Sequence, residues 1–364
     1  MQNDKISMHQ AICMIILFLF GSSVLLGMGV GPGGNSWIAI LTAAFLGSIL
    51  ALVYARLIRL FPEQNFYDIA EIVFGKLIGK IIIVLMMCYA IHLAALVLRN
   101  FSEFIHIVTL EETPQGIVMI AILAVTGYMA ISGMQTFGKW VIFAVVFVVM
   151  VFLFTIVLSI ENMTMVNILP MFKYDWTTIG STILKLFTFP FAETVLFLLL
   201  ADSIKKSDNP YKIYVYGIFF GTLLLVGTFL RNLMVLGAPM LVKSYFPSYM
   251  STRILSIAEV FSRIEVTIFY NFLLAGIVKI SICLFASIKG AEKLFNVQKK
   301  WKSVSVISLI VLLISIVQFD NLFEMLSFLD IYQDYAIFFQ IIIPLVVWIG
   351  AEIKIYINHR ASIQ

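Results

Sequence analysis

The chain has 364 residues, of which 62% are hydrophobic and 12% charged, whereas a soluble domain carries an apolar share of about half. This excess excludes an ordinary soluble fold and points to a chain that crosses a bilayer many times. The net charge of +4 does not point to nucleic acid, because the basic residues sort by membrane side.

Unpaired backbone groups are costly in lipid, so spanning segments are helices or closed barrels. The apolar runs here are long and unbroken rather than alternating at period two. They predict an all-α polytopic membrane bundle with ten transmembrane helices, near residues 10–30, 37–58, 77–107, 115–133, 140–160, 180–201, 213–237, 264–287, 303–319 and 335–353. Only Lys5 precedes the first run and no small-residue cleavage pattern follows it, so that run is expected to be a retained span and not a signal peptide. With the N-terminus inside, the inner segments hold Lys5, Arg56, Arg59, Lys76, Lys80, Lys139, Lys205, Lys206, Lys212, the basic cluster at 289–302, Lys354 and Arg360. The outer loops hold Lys173, Lys243 and Arg253. Both termini are therefore expected to be cytoplasmic. No Ser/Pro-rich linker separates a second domain, so residues 1–364 are expected to form one membrane domain.

Two spans carry an interruption. The first holds Gly21, Ser22 and Ser23 together near its middle, and the sixth holds Pro190 between Phe189 and Phe191. A proline removes a backbone donor and clashes with the preceding turn, so the sixth helix should open over Thr188, Phe189, Pro190, Phe191 and Ala192. Each interrupted span is the first of five. Matching breaks in two halves predict two five-helix inverted repeats, about 8–160 and 178–356, with broken helices 1 and 6. The ligand site is then expected between the breaks, lined by Gly21, Ser22, Ser23, Thr188, Phe189, Pro190 and Ala192. Opened backbone there can serve a small polar ligand, and N–H groups at a half-helix start suit a carboxylate.

Two charges join these residues. Lys279 sits well inside span eight, where an intramembrane charge is a functional candidate, although a lysine can also snorkel toward the cytoplasm. Glu193 lies just past Pro190, near the start of the inner half-helix, and reads equally as a structural cap or as a proton-carrying group. Arg99 and Glu103 are spaced i, i+4 on span three, an expected helix-surface pair, and Tyr89, His92 and Arg99 give that span one polar face. His92 reads as a packed neutral histidine. Pairs such as Gly75 with Gly79 and Gly217 with Gly221 read as close helix packing.

Other chemistry finds no support. Residues 29–34, "GVGPGG", match the glycine spacing of a dinucleotide loop, but no strand precedes them and they read as an outer turn. The four histidines form no ligand motif, and no nucleophile elbow or phosphate loop occurs. Cys13, Cys88 and Cys283 are scattered through the spans and read as small buried side chains, not as a disulfide or metal set. No catalytic residue, metal or cofactor is therefore expected.

A series of short segments runs along the chain: "KISMHQ" at 5–10, "GSSVL" at 21–25, "FPEQNFYDIAEIVFGKLIGK" at 61–80, "LRNFSEF" at 98–104, "LEETP" at 110–114, "NILPMF" at 167–172, "FPFAETVLF" at 189–197 and "RIEVTIF" at 263–269. Through them the chain resembles, nearly end to end, the B subunits of spore germinant receptors, the spore-germination branch of the amino acid/polyamine/organocation permeases. The order and spacing of these segments over ten spans make the match specific. After span four the chain departs from the family habit of a glycine followed by an acidic residue and an arginine, reading "ISGMQTFGKW" with Gln135 and Lys139.

The resemblance implies a permease-like fold and a receptor subunit in the spore inner membrane. Such a subunit would bind a small nutrient, an amino acid, beside A and C subunits. It leaves open a cation-coupled amino-acid permease. In permeases of this fold span eight holds a coupling cation against the break in span one, a place the Lys279 ammonium would take.

Overall fold

In the computed structural model the described residues are 4–25, 35–168, 176–254, 265–297 and 299–361, and they are almost wholly helical. Ten apolar helices follow in order: α1 (Met8–Leu25), α2 (Ser36–Leu60), α3 (Phe66–Val108), α4 (Gln115–Ser132), α5 (Met134–Ser159), α6 (Trp176–Leu199), α7 (Pro210–Lys243), α8 (Glu265–Phe295), α9 (Lys300–Val317) and α10 (Leu322–Asn358). Among the described residues, nine are long and apolar enough to cross a bilayer, and α1 is a shorter tenth. The predicted outer turn at 29–34, together with Lys173 and Asp175, lies outside the described residues.

Burial sorts these helices into a centre and a rim. The most apolar stretch of α8 is 78% buried against 28% for α9, so α8 is a core element and α9 faces outward. Helix α1 is covered on every side, with Ile15, Leu17, Phe18 and Leu19 all inaccessible, as expected of a helix apolar all round at the heart of a bundle. Close approach depends on small residues. A Cβ on Gly217 would lie 2.7 Å from Ile15, and one on Gly221 2.8 Å from Leu19, so this pair lets α7 lie against α1.

The other expected packing pair acts differently. Gly75 has φ +81 and an added Cβ there meets nothing within 4 Å, whereas a Cβ on Gly79 would meet the Glu71 backbone at 2.7 Å. Gly75 is a bend that folds the first turns of α3 back over Gly79, and its positive φ is the region that favours glycine. Cys283 is buried as expected, but Cys88 is exposed on an outward face of α3.

Helix starts follow local chemistry. Asn65 and Asp68 form a reciprocal cap on α3, and Asn209 caps α7 ahead of Pro210. Asn321 accepts the Glu324 N–H at 3.0 Å and starts α10 at Leu322, thirteen residues before the sequence-predicted boundary near 335. Asp330, Gln333 and Asp334 dilute the hydropathy of that stretch, yet the cap and the packed face of α10 carry the helix through it.

The N-terminal residues tie several helices together. Ile6 bridges to Ile204, its N–H donating to the Ser203 carbonyl at 2.8 Å. Lys5 Nζ donates to the Asp202 carbonyl at 2.8 Å, and Lys289 of α8 pairs with the Asp202 carboxylate. Helix α4 turns into α5 at Gly133, φ +92, and Asp4 Oδ1 accepts the Gln135 N–H at 3.0 Å. The departure "ISGMQTFGKW" thus forms a one-residue turn capped by the N-terminal segment.

Candidate functional site

Helix α6 breaks where Pro190 requires it. The chain is α-helical from Trp176 to Leu186, passes through a wide turn at Phe187–Phe191 and a tight one at Ala192–Thr194, then resumes α geometry at Val195–Leu199. Phe189 is non-helical, with φ −138 and ψ 105, because the residue before a proline is pushed out of the α region. The Phe189–Pro190 peptide is cis.

The expected break at 21–23 differs. Helix α1 is continuous through Gly21, Ser22 and Ser23 to Leu25, where its described residues end. These small residues serve contact instead of opening the helix. A Cβ on Gly21 would lie 3.3 Å from the Ala275 carbonyl and 3.5 Å from Lys279 Cδ, so Gly21 lets α8 approach and brings Lys279 onto α1.

Lys279 does not snorkel. It is fully buried, and its Nζ donates to Glu193 Oε2 at 2.5 Å and to Ser22 Oγ at 2.9 Å. The ammonium also lies over the rings of Phe18, at 4.8 Å, and Phe189, at 4.7 Å, where the ring faces attract a cation. One lysine thus joins α8, the break in α6 and α1 at Ser22. The structure brings Gly21, Ser22, Phe189, Glu193 and Lys279 to one place.

The carboxylate of Glu193 is held from its other side as well. Tyr332 of α10 donates to Glu193 Oε1 at 2.6 Å, and the Tyr89 and Tyr332 hydroxyls lie 3.1 Å apart. Gln340 Nε2 donates to Tyr89 Oη at 2.8 Å and to the Thr188 carbonyl at 2.9 Å. With Tyr332 committed to Glu193, Tyr89 donates to Tyr332, so the donors run in one direction from Gln340 to the carboxylate. Such chains polarise one another in a dry interior.

The carbonyls released by the break are met by side chains. Thr188 offers its carbonyl to Gln340, while its own hydroxyl donates back to Leu184. Tyr54 of α2 donates to the Gln340 carbonyl at 2.6 Å, within the wide turn Phe338–Ile342 of α10. Ala192 is buried beside it, its carbonyl 3.4 Å from Tyr54 Oη. Among the described residues, Ser23 Oγ and Gln340 Oε1 are buried without a partner, unused capacity at the margin of the site. A cavity of about 20 Å³ lies beside Glu193, between Asn100, Phe189 and Tyr332. That is room for about one water molecule.

Sequence reading missed Tyr54, Tyr332 and Gln340, and saw Tyr89 only as part of a polar face. Gln340 carried a usable signal, since an amide inside "FFQIII" is as anomalous in lipid as a charge. Arg99 and Glu103 do pair, at 2.6 Å, but are buried instead of lying on the helix surface. His92 Nδ1 bonds the Tyr335 hydroxyl at 2.8 Å. Arg231 of α7 also went unnoticed. It is buried and bonded to Thr155, Asn232 and Ser251, tying α5 and α7 to the short helix Pro247–Arg253.

Over residues 5–323 the sequence matches the spore germination protein family of permeases. The chain belongs to that family. Among its relatives, "Spore germination protein KB" of Bacillus subtilis (strain 168) is 24% identical over 359 residues, 97% of this chain and 96% of that protein. "Spore germination protein YndE" of the same organism is 27% identical over 230 residues, 59% of this chain and 60% of that protein.

Solved structures share the fold of this chain at low identity. Mhp1, a nucleobase-cation-symport-1 family transporter in a closed conformation with bromovinylhydantoin bound, has TM-score 0.69 and 14% identity, covering 92% of this chain and 76% of that one. MhsT in complex with L-phenylalanine has TM-score 0.60 and 11% identity, covering 94% and 98%. The expected ten-helix permease-like architecture therefore stands. Family membership places the chain among spore germination proteins, and the solved structures show its fold.

Proposed function

We propose that this chain is the B-type subunit of a nutrient-germinant receptor. It binds a small nutrient, an amino acid, between α1 and the break in α6, and signals germination with A and C subunits. The whole chain acts as one membrane domain in the spore inner membrane, with both termini cytoplasmic. Family membership supports the germination role, and the sorting of Lys and Arg between loops supports the orientation. The observation that carries the site is the buried Lys279–Glu193 pair, which joins an opened helix to two others at the centre of the bundle. Charged groups are retained at such a position for binding or coupling.

Signalling needs no net transport. A ligand that binds two arrangements of the bundle with different affinity shifts their populations, and partner subunits read the shift. The likeness to Mhp1, a nucleobase-cation-symport-1 family transporter, favours a second reading, a cation-coupled amino-acid permease. Purified full-length protein in liposomes, given radiolabelled amino acids with and without an ion gradient, separates the two. Saturable binding without accumulation is expected for the receptor subunit. Gradient-driven accumulation in the absence of partners would replace it with the permease.

A further inference from the structure

The two charges at the centre of the site are paired with one another. Lys279 and Glu193 are each wholly inaccessible and face one another at 2.5 Å, and their remaining partners, Ser22 and Tyr332, are neutral hydroxyls. The adjoining cavity of about 20 Å³ has room for about one water molecule. A nutrient that enters between α1 and the break in α6 must therefore separate the two charges. A buried charge that loses its partner is strongly unfavourable unless another charge replaces it.

We propose that the ligand is a zwitterion that exchanges with this internal pair, its ammonium taking the place of Lys279 on Glu193 and its carboxylate taking the place of Glu193 on Lys279. The inference rests on the assignment of the ligand site above and adds a rule of selection. An amine without a carboxylate satisfies Glu193 and strands Lys279. A carboxylate without an amine does the reverse, and a neutral polyol strands both. The aromatic faces of Phe18 and Phe189 already flank the ammonium and hold Lys279 in place while its counter-charge is exchanged. Tyr332 and Ser22 then serve as donor and acceptor to whichever carboxylate and ammonium occupy the site, because a hydroxyl does both.

The test uses the full-length protein in lipid nanodiscs and needs no variant. The twenty common L-amino acids and glucose are screened by thermal melting, and the best-binding amino acid is then compared with its amide and with its deaminated acid by calorimetric titration. The expected result is that one or more amino acids bind, and that each single-charge analogue binds roughly 100-fold or more weakly. An analogue that binds within tenfold of the parent amino acid overturns the exchange while leaving the ligand site in place. Binding of glucose with no binding of amino acids overturns the zwitterion assignment. Absence of binding by every probe overturns both the exchange and the site on which it rests.

A second measurement is made on the double variant Lys279→Met, Glu193→Gln, with its fold checked by melting. Its preference for the amino acid over the amide should be lost or reversed, since neither protein charge remains to be stranded and the ligand's own carboxylate no longer meets a cation. A preference of 100-fold surviving in that variant would place recognition elsewhere and refute the exchange.

Discussion

Replacing Lys279 by methionine isolates the energetic role of the central pair. Methionine is close to lysine in length and fills most of the same space between Phe18 and Phe189, so the cavity contribution is small. The change leaves the Glu193 carboxylate inaccessible to water, with the Tyr332 hydroxyl at 2.6 Å as its remaining side-chain partner. Breaking one side of a buried pair costs about 3–5 kcal/mol, whereas replacing both charges by neutral groups of similar volume is close to neutral. Lys279→Met alone should therefore destabilise by about 3 kcal/mol or more. The double variant Lys279→Met, Glu193→Gln should recover most of that loss. The assay is a double-mutant cycle read by denaturant titration in detergent micelles, which yields the coupling between the two side chains directly. A coupling below about 1 kcal/mol would refute the pair as an organising contact, as would a double variant no more stable than the sum of the single losses.

Gly21→Leu should abolish the nutrient response while protein level and membrane insertion stay normal. A Cβ added at Gly21 would lie 3.3 Å from the Ala275 carbonyl, and the longer side chain would push α8 and Lys279 away from α1. A germination assay on spores with quantified protein checks this, and a normal response would count against it. Pro190→Ala restores a backbone donor to α6 and permits a continuous helix, so amino-acid affinity measured by titration should fall. Unchanged affinity would remove α6 from the site. Gln340→Leu leaves the Thr188 carbonyl and the Tyr89 hydroxyl without the donor they now share, and a buried acceptor left unpaired costs about 1–3 kcal/mol. A melting curve unchanged from the parent would show that water or another side chain replaces Gln340.

Hydropathy is additive along the chain, which is why the sequence alone determines the helical class, the ten spans and the break at Pro190. Proline acts through its own ring on its own turn, so its effect needs no tertiary partner. Lys279 and Glu193 also stood out alone, because charge in lipid is anomalous wherever the helix packs. Their pairing was not legible. They are 86 positions apart, Tyr332 is 139 from Glu193, and Ser22 is 257 from Lys279. Contacts at such separations depend on how helices rotate and lean against one another. The residues 21–23 show the same limit from the other direction. Glycine and two serines permit an opened helix and equally permit close contact, and only the approach of Ala275 and Lys279 decides for contact. The start of α10 was obscured because Asp330, Gln333 and Asp334 lower the local hydropathy. A side chain's value to a helix depends on the neighbour it meets, and the chain reveals that neighbour only once it is folded.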